Sequence, residues 1–152
     1  MATSSERIAI VGSRQGADLE QVERFVRALY LRQPSSLLVS GGAAGVDKHA
    51  EQTWLGLGGR VQSFRPKRNY AGSYAVEVWN LGGDEPSVGV LGEPHPTWAD
   101  YRSAALYRDS LIAEKSDRIV AFYRRGRSHG TTVTMDFGHA YGRDLHEYEA
   151  AA

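Results

Sequence analysis

Leu37-Leu38-Val39-Ser40-Gly41-Gly42-Ala43-Ala44-Gly45-Val46-Asp47 joins an apolar run to small residues just where an amphipathic helix begins. This is the outline of a phosphate-binding turn. Glycines let a ligand approach the backbone, and the first amides of the following helix lack partners and carry the positive end of its dipole. Upstream, residues 7–11 form a short β-branched run closed by Gly12-Ser13, which fits a buried strand ending in a loop. Between the two strands, Asp18 can cap a helix with Gln21 three residues on. Leu19, Val22, Phe25, Val26 and Leu29 then recur at helical spacing until Pro34 stops them.

Downstream, Val46, Ala50, Thr53, Trp54 and Leu57 form the stripe of a second helix, ended by Gly58-Gly59. A third strand over residues 60–64 runs into Arg65-Pro66-Lys67-Arg68. Residues 66–98 then read as a long loop insertion, rich in breakers such as Gly82-Gly83-Asp84-Glu85-Pro86 and Pro94-His95-Pro96. A helix over residues 99–115, a strand over 118–123, a basic turn, a helix over 131–141 and an edge strand over 145–148 complete the reading. Strands alternating with helices predict an α/β, Rossmann-like, doubly wound fold: a mostly parallel sheet with helices on both faces. Ligands of such sheets bind beyond the carboxyl ends of the strands. Gly12, Ser13 and Arg14, then Ser40, Gly41, Gly42 and Gly45, then Arg65, Lys67 and Arg68, and last Arg124, Arg125, Arg127, Ser128, His129, Gly130 and Thr131 all fall there.

The 152 residues suit one domain spanning 1–152. Formal net charge is zero, which argues against nucleic acid or an acidic membrane as a partner of the whole molecule. Absence of cysteine rules out disulfides and thiolate chemistry and points to a reducing cytoplasm. Residues 1–6 lack the apolar core of a secretory signal, and no apolar run nears the roughly 20 residues that span a bilayer. A soluble cytoplasmic protein is therefore expected. His49 has no second ligand beside it, so no metal is expected, and no cofactor is called for. Exposed aromatics and helix faces leave room for a homo-oligomer.

Gly12-Ser13-Arg14, Val39 to Asp47 with His49-Ala50-Glu51, Phe64-Arg65-Pro66, Ser116-Asp117 before Val120-Ala121-Phe122-Tyr123, and Gly130-Thr131 together resemble the SLOG superfamily, nearest its small YspA-type branch. The likeness covers most of the chain outside the expected loop. It implies a Rossmann-like domain that binds nucleotides or nucleotide-derived ligands such as ADP-ribose compounds. Relatives include DNA-processing proteins, cytokinin-activating phosphoribohydrolases and sensor domains of antiviral defence effectors, and fold likeness does not choose among them.

Several residues carry two readings. Asp47 either stabilises the start of its helix or accepts a hydrogen bond from a ribose hydroxyl. Arg108 lies within the stripe Tyr101, Ala104, Ala105, Leu111 and Ile112. Its stem can pack there with the head solvated, or its guanidinium can grip phosphate. The resemblance aligns it with the superfamily's helix arginine, whereas Asp109 departs from the asparagine of YspA-type relatives. Gly130-Thr131-Thr132 can cap a helix or form a second anion cradle. In the phosphoribohydrolase branch, a glutamate stands where this chain has Thr134. Asp136 is two residues further, about 200° around a helix, a poor substitute as catalytic acid with Arg108. The leading expectation is binding or sensing of a nucleotide-derived small molecule. Nucleoside monophosphate hydrolysis comes second, and single-stranded nucleic-acid binding, with Tyr70, Tyr74, Trp79 and Trp98 stacking on bases, third.

Overall fold

A computed structural model describes residues 5–90, 96–124 and 129–150. The chain runs β1 (Arg7–Gly12), α1 (Leu19–Arg32), β2 (Leu37–Ser40), α2 (Val46–Gly56), β3 (Arg60–Arg68), β4 (Tyr74–Leu81), β5 (Ser87–Val90), α3 (Tyr101–Lys115), β6 (Arg118–Tyr123), α4 (His129–Ala140) and β7 (Asp144–Glu149). The strands form one sheet in the order β5-β4-β3-β2-β1-β6-β7. From β3 through β2, β1 and β6 to β7 all neighbours are parallel, and β4 and β5 add antiparallel at one edge.

Side-chain alternation along β1 builds both cores. Ile8 and Ile10 join Val22, Val26 and Leu29 of α1 and Ala50 and Trp54 of α2 on one face. Ala9 and Val11 join Leu111 and Ile112 of α3 and Met135 of α4 on the other. Asp18 caps α1 as its spacing predicts, accepting the Gln21 amide at 3.1 Å. This is the expected doubly wound architecture. The chain winds from β1 toward β3, then returns to lay β6 and β7 on the opposite side of β1, and that reversal opens a crevice at the carboxyl ends of β1 and β6. No helix among the described residues is long and apolar enough to cross a membrane.

Residues 66–90 and 96–98 differ from the expected loop insertion. They complete β3 and contribute β4 and β5, a meander that widens the sheet. Pro66 suggested a loop, yet β2 pairs with β3 only as far as Ser63. Beyond that point, among the described residues, β4 is the sole strand beside β3, so Pro66 sits in edge-like pairing where a proline is tolerated. The β3–β4 turn is held by Asn69, whose Oδ1 accepts from the amides of Ala71 and Ser73 at 3.0 and 3.2 Å.

Candidate functional site

Ser13 joins the three elements that meet at the crevice. Its amide donates to the Phe122 carbonyl at 3.0 Å, its carbonyl accepts from the Val46 amide at 3.2 Å, and its Oγ accepts from the Arg124 amide at 3.0 Å. The ends of β1 and β6 and the start of α2 are thus tied through one residue. Gly12 makes that approach feasible, since a Cβ there would overlap the Phe122 carbonyl oxygen and the Val46 side chain.

The glycine turn after β2 satisfies itself to a greater degree than its composition suggests. Ser40, fully buried, accepts the Gly42 amide at 3.1 Å, and the Asp47 carboxylate accepts from the Ala43 amide. Gly42 and Gly45 have φ of 68° and 87°, which disfavours any side chain. A Cβ on Gly41 would lie 3.0 Å from both Arg108 Nη1 and Asp47 Oδ2, and one on Gly42 would strike Arg65. The glycines therefore admit this chain's own charged groups and backbone.

Arg108 is buried and its head is engaged: Nη1 donates to the Gly41 carbonyl at 2.9 Å and Nε to Asp109 Oδ1 at 2.7 Å. Of the two readings of Arg108, the solvated head is absent. It pins the glycine turn to α3. Tyr101, expected on the inward stripe, is instead partly exposed at the first position of α3.

These elements enclose a cleft of about 390 Å³. Gly12 lines it from β1, Ser13, Arg14 and Gln15 from the loop that follows, Ala43 from the glycine turn, Asp47 from α2, Arg108, Asp109 and Ile112 from α3, Arg124 from just beyond β6, and Thr131 and Thr134 from α4. Among the expected site residues, Gly12, Ser13, Arg14, Asp47, Arg108 and Thr131 are thereby brought together. Gly130 and Thr132 flank Thr131 in the first turn of α4. Ser40, Gly41, Gly42 and Gly45 shape the turn from behind.

Arg65 is placed elsewhere. Its Nη2 donates to Glu51 Oε2 at 2.8 Å, its Nε to Ser63 Oγ at 3.0 Å, and its guanidinium lies 4.4 Å from the centre of the Trp79 ring. Asp136 is exposed and outside the cleft lining, since α4 has already begun, while Thr134 faces the cleft. His49 lies 3.5 Å from Glu23. Arg125, Arg127 and Ser128 fall outside the described residues.

Gln15, Asp109 and Thr134 were missed as site residues. Glu51 lies outside the cleft lining, one helical turn after Asp47, and is buried. Its Oε1 is buried without a hydrogen-bond partner.

Burial pushes the Asp47 carboxyl up to about 7; Arg108 opposes this, Glu51 adds to it, the Ala43 amide opposes it, and Asp109 adds again. An unfolded aspartate titrates near 3.8, so between that pH and about 7 the folded chain holds a proton the unfolded chain has lost. The group's contribution to stability is therefore complete below pH 3.8 and declines as pH rises through 7. Asp47→Asn is expected to remove this decline, worth up to about 1.4 kcal/mol per pH unit. Urea denaturation at pH 5, 6 and 7 measures it, and parallel profiles for variant and wild type would refute the assignment.

Fold and cleft define a Rossmann-like domain with its site at the switch point of the sheet. The chain belongs to the DNA recombination-mediator protein A family, whose profile matches residues 1–151. That agrees with the kinship read from Gly12-Ser13-Arg14 and the glycine turn. DNA processing protein A from Streptococcus pneumoniae is similar in structure, with TM-score 0.67 and 23% identity over 93% of this chain and 50% of that one. A structure of DNA processing protein A from Helicobacter pylori, described for its single-stranded DNA binding mode, gives TM-score 0.64 and 17% identity over 93% of this chain and 64% of that one. The structure of TM1055 gives 0.60 and 18% over 92% and 72%. The chain spans half the length of the streptococcal protein. No curated protein matches the chain significantly.

Family membership corrects one expectation. Zero net charge argued against nucleic acid as a partner, and the DNA-processing family to which the chain belongs overturns that exclusion. The physical reason is that net charge averages over the whole surface, whereas Arg14 and Arg124 are gathered on one cleft.

Proposed function

We propose that the cleft binds the phosphate of a nucleotide-derived ligand, ADP-ribose-like or another phosphorylated nucleoside. The observation that carries this is the convergence of Arg14, Arg124, Ser13 and the Thr131 end of α4 on one cleft at the carboxyl ends of β1 and β6. Guanidinium groups and a helix N-terminus are what an oxyanion needs. A second reading, single-stranded DNA, is favoured by the family and by the binding mode for which the Helicobacter pylori structure is described. Both readings use the same phosphate contacts. Within the superfamily we place the chain nearest the YspA-type branch on the motifs quoted above, and we take residues 1–152 as one domain. Hydrolysis of an N-glycosidic bond is not part of the proposal, because Thr134 offers a hydroxyl where that chemistry needs a carboxylate.

Calorimetric titration with AMP, ADP-ribose and a short oligothymidine tests the reading. An Arg14→Glu/Arg124→Glu variant is expected to bind at least about tenfold more weakly, since each lost contact is a charge-assisted hydrogen bond. A strand contact is further marked by a slope of log affinity against log salt of about −0.7 per phosphate engaged. Affinity is also expected to fall as pH rises through 7, as Asp47 acquires charge beside the anion. No saturable binding of any of the three ligands, or undiminished binding by the variant, would refute the proposal.

A further inference from the structure

Tyr101 adjoins the cleft through its contact with Arg14, and phosphate binding gives it no role. It opens α3 behind the Asp100 cap, whose Oδ1 accepts the Ser103 amide at 2.8 Å, and it keeps 43% of its surface exposed. Two restraints hold the ring. Arg14, which lines the cleft, donates from Nη2 to the tyrosine hydroxyl at 3.4 Å. Tyr74 of β4 packs against it edge-on, centroids 5.9 Å apart at 79°. Tyr74 is fixed in turn by paired backbone hydrogen bonds of 2.7 and 2.8 Å with Trp98. A large ring, exposed yet held at two points, is a ready stacking surface.

Spacing connects this ring to the cleft, which Arg108 lines. Arg108 follows Tyr101 by seven residues, two helical turns, so both lie on one face of α3 roughly 10 Å apart along its axis. The phosphate and base of a nucleotide stand at opposite ends of the ribose and can bridge such a gap.

We propose that Tyr101, braced by Tyr74 and tethered by Arg14, is the base-stacking wall of this site, and that the ligand is a nucleotide whose phosphate occupies the cleft while its base lies on the Tyr101 ring. The inference rests on the phosphate reading above and adds the base to it. One wall serves the base of a free mononucleotide or one base of a single strand, and the experiment separates these sources.

The probes are 2-aminopurine ribonucleoside 5′-monophosphate, whose fluorescence is quenched by stacking, a thymidine oligomer carrying one 2-aminopurine, and ribose 5-phosphate, which has no base. The mononucleotide is expected to bind at least about tenfold more tightly than ribose 5-phosphate and to be quenched on binding. Tyr101→Ala should remove the quench and the tenfold advantage over ribose 5-phosphate, whereas Tyr101→Phe, which loses the same tether to Arg14, should keep both. Quenching of the oligomer alone supports the wall and assigns its base to a strand. Equal affinity of the wild type for mononucleotide and ribose 5-phosphate with neither probe quenched, or a quench that survives in Tyr101→Ala, overturns the wall alone. Absence of binding by all three compounds overturns the phosphate reading and the wall together.

Discussion

Arg108→Ala is expected to destabilise the chain by about 3 kcal/mol, and to do so more at pH 8 than at pH 5. The guanidinium is more than nine-tenths buried and holds Asp109 at 2.7 Å and the Gly41 carbonyl at 2.9 Å. It also opposes the rise of the Asp47 pKa. Without it, two buried carboxyl groups and a turn carbonyl lose a shared cation. Protonation is how an unpaired buried carboxylate escapes the cost of its charge, so Asp47 moves further up in the variant and the deficit shrinks in acid. Arg108→Lys should fall between the two, because an ammonium keeps the charge but not the planar fork. Urea midpoints at pH 5 and 8 measure the effect. A deficit identical at both would show that lost packing, not orphaned charge, governs this position.

Gly12→Ala is expected to be as severe, again about 3 kcal/mol, for a steric reason. Gly12 pairs with Phe122 across β1 and β6, and an added methyl would press on the Phe122 carbonyl oxygen and approach Val46 Cγ2 to 2.7 Å. A backbone oxygen in a sheet cannot rotate aside as a side chain can. Relief requires β1 and β6 to part, and that breaks the 3.0 Å bond from the Ser13 amide to Phe122. Gly56→Ala is the control, since nothing lies within 4 Å of its added Cβ at the exposed end of α2. There a gain of roughly 0.5–1 kcal/mol is expected from helix propensity. Equal midpoints for Gly12→Ala and wild type would refute the steric account.

The central strands β1, β2 and β6 were legible because each carries an unbroken apolar run, as in Ile8-Ala9-Ile10-Val11 before Gly12. The β4–β5 meander was not, because its strands are only partly buried: Glu77 and Asn80 interrupt the apolar pattern of β4, and β5 carries Gly89. The Asn69 turn was a usable signal that went unread. For the site, sequence located the rim because strand ends in such folds share an edge. It could not show that Arg65 turns to Glu51 and Trp79, or that Arg108 grips Gly41, since both are contacts between elements far apart in the chain. Tyr101 was read as core because helical spacing gives a residue's direction around the axis, not whether a neighbour covers that end of the helix.

The three hydrogen bonds of Ser13 carry a consequence for recognition. Loops that order only when a ligand arrives spend part of its affinity on their own lost entropy. Here folding has already fixed the turn after β1, the start of α2 and the end of β6 to one another. The pocket is preorganised, so ligand should dock into standing geometry, and the amides of Ser13, Gly42, Ala43 and Val46 should be slow to exchange with deuterium before any ligand is added.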